Sequence, residues 1–309
     1  MILTVTLNTA IDKAYFMENK IENGTVMRVK TVSNTAGGKG LNVARVISIL
    51  GEDVLATGFA GGYSGKYLES LLDKDNVKHS FYFVEGETRS CINILDPVYG
   101  STEYLEPGFT VNKDDADKFL SHFNDLIKGS DIVTISGSVP KGLDASIYVK
   151  MIDAVKNAGK IVVLDTSGNL LRESIKAKPH VVKPNQEELE SLFNVKINGI
   201  LDASKYASKL SNEGIPYVIV SLGKDGAIVA SNNQVYHAVP PKINVVNTVG
   251  CGDSLVGAFS VALYKGFSVK DAIKYAVSVA SANATTMGTG SFNIEDLNSI
   301  LTQTKVTLL

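Results

Sequence analysis

Tryptophan is absent from this 309-residue chain, and cysteine and histidine are scarce, with two and four copies. Cys91 and Cys251 lie far apart and in no CxxC spacing, which excludes a disulfide framework and a thiolate zinc cluster. His79, His122, His180 and His237 form no HExxH pair, so a metal hydrolase has no support. Neither charge sign is in excess. The formal net charge is −2 and the pI about 6.1, which leaves no basic field for nucleic acid or an anionic membrane. No apolar run approaches the roughly 20 residues of a membrane span. The start, MILTVTLNTAIDK, lacks the basic, apolar and small-residue regions of a signal peptide, so a cytoplasmic protein is expected. Also missing are a GxGxxG after the first strand, which argues against a dinucleotide fold, and a GxSxG nucleophile elbow. AGGYSGKYL (60–68) has the outline of a P-loop, but Ala60 replaces its first glycine and Tyr67 its magnesium-binding hydroxyl. It reads as a turn into a helix starting near Ser64.

What the chain does have is an alternation of short β-branched runs with longer segments of helical period. ILTVTL (2–7), VLATGF (54–59), DIVTIS (131–136), KIVVLD (160–165), HVVKPN (180–185) and YVIVSL (217–222) read as buried strands. Leu41 to Leu50 has helical spacing and Gly51 to close it, and Asp144 is placed to cap a helix running to Ala158 before Gly159. Such alternation builds a mainly parallel sheet with helices on both faces, and ligands then bind beyond the C-terminal strand ends. Two half-polar stretches break the pattern. Segments 13–33 and 89–108 read as short strands with turns, the second as a hairpin around Pro97 to Gly100. They form either a small sheet over the site, serving also as a dimer contact, or two ordinary surface hairpins.

NTVGCGDSLVGAF (247–259) follows a strand-like INVVN (243–247) and precedes a helix expected from Asp253 to about Lys265. Gly250 and Gly252 let an anion reach the unpaired N–H groups of that helix start. Asp253, ionised at pH 7 from its reference pKa of about 3.9, suits a base that takes a proton from a hydroxyl attacking phosphate. A capping aspartate after a tight turn is the competing reading. AGGKGLNVAR (36–45) is a second glycine-rich loop entering a helix, with Lys39 and Asn42 able to face a polar ligand; Asp12 can accept two sugar hydroxyls. In VVKPNQEEL (181–189), Asn185 and Glu188 have capping-box spacing and are equally suited to Mg²⁺ and its waters. SLGKDGAIV (221–229) offers Ser221, Gly223 and Gly226 as a strand-end turn for nucleotide phosphates or a plain hairpin.

In this order the motifs LTVTLNTAIDK, AGGKGLNVAR, GETRSCI, ISGSVPKG, VVKPNQEEL, VSLGKDGA and NTVGCGDSLVGAF resemble the ribokinase-like sugar kinases, in their phosphofructokinase-B branch. The resemblance runs nearly end to end. It implies a three-layer α/β sandwich with a small β lid, one kinase domain over 1–309 with lid segments near 13–33 and 89–108, and MgATP-dependent phosphoryl transfer to a sugar hydroxyl. By the same resemblance Asp253 is the base and the N–H groups of Gly250, Cys251 and Gly252 build the anion hole. Asp12, Gly38, Lys39, Asn42 and Ser138 fall on the sugar side, and Arg89 and Arg28 on the acceptor's own phosphate. Lys183, Asn185, Glu188, Ser221, Gly223, Gly226 and Asn283 fall on the ATP side, with Asp165 beside Asn185 and Glu188 for magnesium. Cys251 departs from the family, which usually has alanine there. LNTAIDK resembles fructose-1-phosphate kinases and KHSFYFVEGETRSCINIL resembles tagatose-6-phosphate kinases, so both ketohexose phosphates stand as acceptors. A homodimer joined through the lids is the expected assembly. The alternatives are a sugar-phosphate and nucleotide sensor that binds without turnover, and a kinase of another sugar such as fructose-6-phosphate.

Overall fold

The computed structural model describes residues 1–309. Along the chain, β1 (Ile2–Thr6), β2 (Ala10–Phe16) and β3 (Thr31–Gly37) lead to α1 (Lys39–Ile49), β4 (Val54–Gly61) and α2 (Gly62–Lys74). Two short strands, β5 (Lys78–His79) and β6 (Tyr82–Val84), precede the hairpin of β7 (Arg89–Asp96) and β8 (Gly100–Leu105). Then come α3 (Lys113–Ile127), β9 (Ile132–Ser136), α4 (Ser146–Asn157), β10 (Ile161–Asp165), α5 (Gly168–Ser174), β11 (Val181–Val182), α6 (Gln186–Phe193) and α7 (Ile200–Asn212). The chain closes with β12 (Tyr217–Ser221), β13 (Ala227–Ser231), β14 (Gln234–Val239), α8 (Cys251–Tyr264), α9 (Val269–Ala284), α10 (Ile294–Gln303) and β15 (Lys305–Leu308).

The central sheet runs β15-β14-β13-β12-β11-β10-β9-β1-β4-β5, with β6 also on β4. It is parallel from β5 through β12 and antiparallel from β12 to β15. Side chains alternate along each strand, so each face of the sheet feeds its own core. Ile2 packs with α1, α8 and α9 through Val46, Phe259 and Ile273, while Leu3 and Val5 join Phe119, Tyr148 and Leu189 on the other face. This is the expected three-layer sandwich. The α1 and α8 contact is close because Gly257 faces Val46, where a Cβ would come within 2.9 Å of Cγ1. No helix is long and apolar enough to cross a membrane.

The two irregular stretches pair into a separate four-stranded sheet, ordered β3-β2-β7-β8, with β2 and β7 parallel and the others antiparallel. Its strands begin earlier than expected, at Ala10, and β3 runs into the first glycine motif at Gly37. The carboxylate of Asp96 ties the sheet together, accepting N–H bonds from Val98 and Tyr99 in the hairpin turn and from Ile21 in the long β2–β3 loop.

Several local expectations change. INVVN forms no strand: Val245 and Val246 are exposed, and the N–H groups of Val246 and Asn247 donate to the carbonyl of Ala284 rather than to a strand edge. The 180–185 strand is only Val181–Val182, because Pro184 has no N–H to donate and Asn185 already caps α6. Asp144 is not the cap expected: α4 begins at Ser146 with Ala145 as its N-cap and no side-chain cap bond, and Asp144, one residue further out, accepts from the N–H of Ser146 at 2.8 Å. The P-loop look-alike is answered by Glu87, whose carboxylate accepts from the N–H groups of Tyr63 and Ser64 at the start of α2. A protein carboxylate takes the place a phosphate would need.

Candidate active site

The strand ends open into a cavity of about 830 Å³ between the central sheet and the small one. Its far wall carries Asp12, Arg89, Cys91, Asn93 and Glu103, which alternate along β2, β7 and β8 toward the cleft. Its floor is Gly38, Lys39, Asn42, Gly250, Gly252 and Asp253, and its near end Lys183, Asn185, Glu188 and Ser221. Ser138 sits between, its Oγ accepting from Nδ2 of Asn8 at 3.1 Å.

α8 begins two residues earlier than expected, at Cys251, and this changes what Asp253 can be. Gly250 is the N-cap at φ 81°, left-handed backbone that favours glycine, so Asp253 stands inside the first turn and caps nothing. Any Cβ at Gly250 would also press on Thr289 Cγ2 (2.7 Å) and the Gly290 nitrogen (2.8 Å). The N–H groups of Gly252 and Asp253 have no partner within the protein and lie at the positive end of a 14-residue helix. Asp253 itself is buried, and its Oδ2 accepts from Nδ2 of Asn42 at 2.8 Å, across 211 residues of sequence.

Burial, reinforced by the Asp165 carboxylate, lifts the Asp253 pKa to about 6, against the pull of the Asn42 bond and the Lys39 and Lys183 ammonium groups. The reference value underestimates how readily this acid holds a proton. Asp12 is likewise raised to about 6 by burial, with Arg45 and Arg89 opposing. Lys39 loses hydration, yet Asp165, Asp253 and Glu188 outweigh that loss and hold its pKa above the ordinary value. The α6 end is a complete capping box. Asn185 Oδ1 accepts from the Glu188 N–H and Glu188 Oε2 from the Asn185 N–H, both at 2.8 Å, which leaves Glu188 Oε1 free beside the cavity.

Six of the residues singled out by sequence lie off the cavity wall. Arg28 is exposed on the β2–β3 loop. Asn283 is wholly buried behind the loop before α8; its Nδ2 donates to the Val249 carbonyl at 3.0 Å and its Oδ1 accepts from the Ser291 N–H, so it braces that loop and does not reach the cavity where a nucleotide would lie. Asp165 is buried beneath Lys183 (3.1 Å) and Lys39 (3.6 Å). Gly223 and Gly226 shape the β12–β13 turn, where Gly226 backs onto the Ala238 carbonyl. The Cys251 side chain accepts from Nδ2 of Asn283 at 3.4 Å, and burial pushes its thiol up, away from nucleophilic reactivity. Asn8, Asn93, Glu103 and Thr289 line the cavity and were not foreseen. For Asn93 the period-two alternation from Arg89 and Cys91 was the available signal.

A carboxylate beside free helix N–H groups, with lysines at one end and an arginine on the small sheet at the other, suits phosphoryl transfer, and the fold is that of the ribokinase-like sugar kinases. The chain belongs to the pfkB family of carbohydrate kinases, which it matches over residues 3–296. It is 40% identical over 309 residues to the tagatose-6-phosphate kinase of Staphylococcus epidermidis, covering 99% of each chain. It also superposes on Escherichia coli phosphofructokinase-2 in complex with substrates and products, with TM-score 0.91 and 30% identity over 97% of this chain and 98% of that one. The tetrameric inhibited form of the same E. coli protein gives TM-score 0.88 at 30% identity over the same shares.

Proposed function

We propose that this kinase transfers the γ-phosphoryl group of ATP to a hydroxyl of tagatose-6-phosphate, with Asp253 as general base. The observation that carries the reading is the placement of the Asp253 carboxylate, anchored by Asn42, beside the free N–H groups of Gly252 and Asp253. Those N–H groups stabilise charge developing on the transferred phosphoryl while Asp253 receives the acceptor's proton. Lys39 and Lys183 supply positive charge along the same wall. Asp12 holds sugar hydroxyls, and Arg89 meets the phosphate the acceptor already carries. The full-length identity to a tagatose-6-phosphate kinase favours that sugar over fructose-1-phosphate.

Magnesium belongs to the same reading. Glu188 lines the cavity and its Oε1 takes no part in the capping box, whereas Asn185 Oδ1 is committed to that box and Asp165 is buried behind the wall in ion pairs with Lys183 and Lys39. No cluster of three histidine, cysteine or carboxylate groups exists, so these residues fit an ion that keeps most of its waters. When bound, it would neutralise phosphate charge.

We also read residues 1–309 as one domain, since Ile2 and Ile300 share a core, and the assembly as a homodimer through the lids. The strand register puts Tyr15, Val32, Ile94 and Tyr104 on the lid face opposite Asp12 and Cys91, with Val32 and Tyr104 exposed. Light scattering should therefore give twice the 33.0 kDa chain mass; a monomer at micromolar concentration would overturn the dimer.

The activity is tested by ADP release from MgATP with tagatose-6-phosphate, fructose-1-phosphate, fructose-6-phosphate, fructose and ribose. Tagatose-6-phosphate should give the highest kcat/KM. Turnover only with fructose-1-phosphate would move the phosphate clamp to the other end of the sugar. Inert acceptors together with thermal stabilisation by ATP would favour the sensor.

A further inference from the structure

Arg45 is a buried cation that the reaction described above does not use. It lies on α1 one turn after Asn42, and its guanidinium makes four inward contacts. Nη1 donates to Asn42 Oδ1 and to the Thr289 carbonyl, each at 3.0 Å; Nη2 donates to the Ala36 carbonyl at 2.8 Å; Nε donates to Asp75 Oδ2 at 2.8 Å. Asp75, at the end of α2, anchors Nε from outside the cavity, and the other three targets belong to different pieces of the site. Ala36 is in β3, at the root of the lid. Thr289 belongs to the loop that packs against Gly250. Asn42 holds Asp253.

The chemistry of these groups fixes the amide's direction. A guanidinium has donors only, so the Asn42 oxygen must face Arg45. The amide NH₂ is thereby turned toward Asp253, whose ionised carboxylate only accepts. Without Arg45, the Asn42 amide would keep only its bond to Asp253 and lose the anchor that fixes its plane and position. We propose that Arg45 is the positioning residue of this site: through Asn42 it orients the Asp253 carboxylate, and its bonds to Asp75 and to the Ala36 and Thr289 carbonyls hold the guanidinium in place for that task.

This rests on Asp253 being the base, and the test separates the two. Arg45→Met keeps the length of the side chain and removes its donors. Its kcat should fall about tenfold per folded molecule, the loss expected for one misplaced charge-assisted hydrogen bond, while the KM for ATP stays within about twofold. The discriminating step is a double-mutant cycle with Asn42→Ala. If Arg45 works through Asn42, the double variant is no slower than Asn42→Ala alone. Losses that multiply, or an Arg45→Met enzyme with unchanged kcat, would overturn the inference. Should Arg45→Met not fold, Arg45→Lys replaces it in the cycle with the same criteria, since one ammonium cannot reproduce the fork. A fully active Asp253→Asn enzyme would instead remove the base assignment itself.

Discussion

Asp253→Asn is expected to lower kcat by roughly 10²–10⁴-fold, the usual share of a general base, while the KM for ATP changes little. The amide is nearly isosteric and keeps a bond to Asn42 available, but it cannot take the acceptor's proton. Turnover within tenfold of the parent enzyme would end the assignment of Asp253 as base. The same substitution should stabilise the fold at pH 8. Burial raises the Asp253 pKa from 3.8 to about 6, so the ionised form opposes folding. The stability contributed by this group is fully present below about pH 3.8 and is lost as pH rises through about 6. Removing the charge should restore about 1–3 kcal/mol at pH 8 and almost nothing at pH 4. Urea unfolding at both values measures the difference, and equal effects at the two pH values would contradict the burial argument. For the parent enzyme the sign in activity is opposite, because the ionised form is the competent base. Turnover should therefore decline as pH falls through about 6.

Arg89→Ala should raise the KM for the sugar phosphate by roughly 10- to 100-fold, the value of one or two hydrogen bonds to a charged group. The KM for ATP should stay as it is. The guanidinium is already held for this purpose: Nη2 donates to the Asn8 carbonyl at 3.3 Å, and Gly108 lies against the side-chain stem. Its Nε is enclosed with no protein partner, a donor that an anionic oxygen would satisfy. Arg89→Lys should recover only part of the loss, since an ammonium cannot make the planar two-point contact with phosphate. Steady-state kinetics with each substrate varied in turn decides the matter. An unchanged sugar-phosphate KM in the alanine variant would place the clamp elsewhere in the lid.

Much of this protein is written locally. The β-branched runs, the glycines at 37, 38, 250 and 252, and the Asn185–Glu188 capping pair each act within a few residues, so the sheet, both glycine loops and the α6 start were legible in the sequence. The hairpin of β7 and β8 was legible for the same reason, through its turn at Pro97 to Gly100. Where tertiary contact overrides local preference, the reading failed. INVVN has strand propensity but no neighbouring edge to pair with, and Asn283, expected on the ATP side, is buried as a brace for the loop before α8. The parallel pairing of β2 with β7, about 80 residues apart, is the contact that turns two ordinary hairpin segments into one four-stranded sheet. The same holds for the chemistry. Arg45 and Asn42 meet one turn apart on α1, but only the packing of α1 against α8 brings Asp253 to them and completes the chain from Arg45 through Asn42 to Asp253. A pKa near 6 at Asp253 is a property of burial and of charges brought from distant segments, and no run of neighbouring residues encodes it.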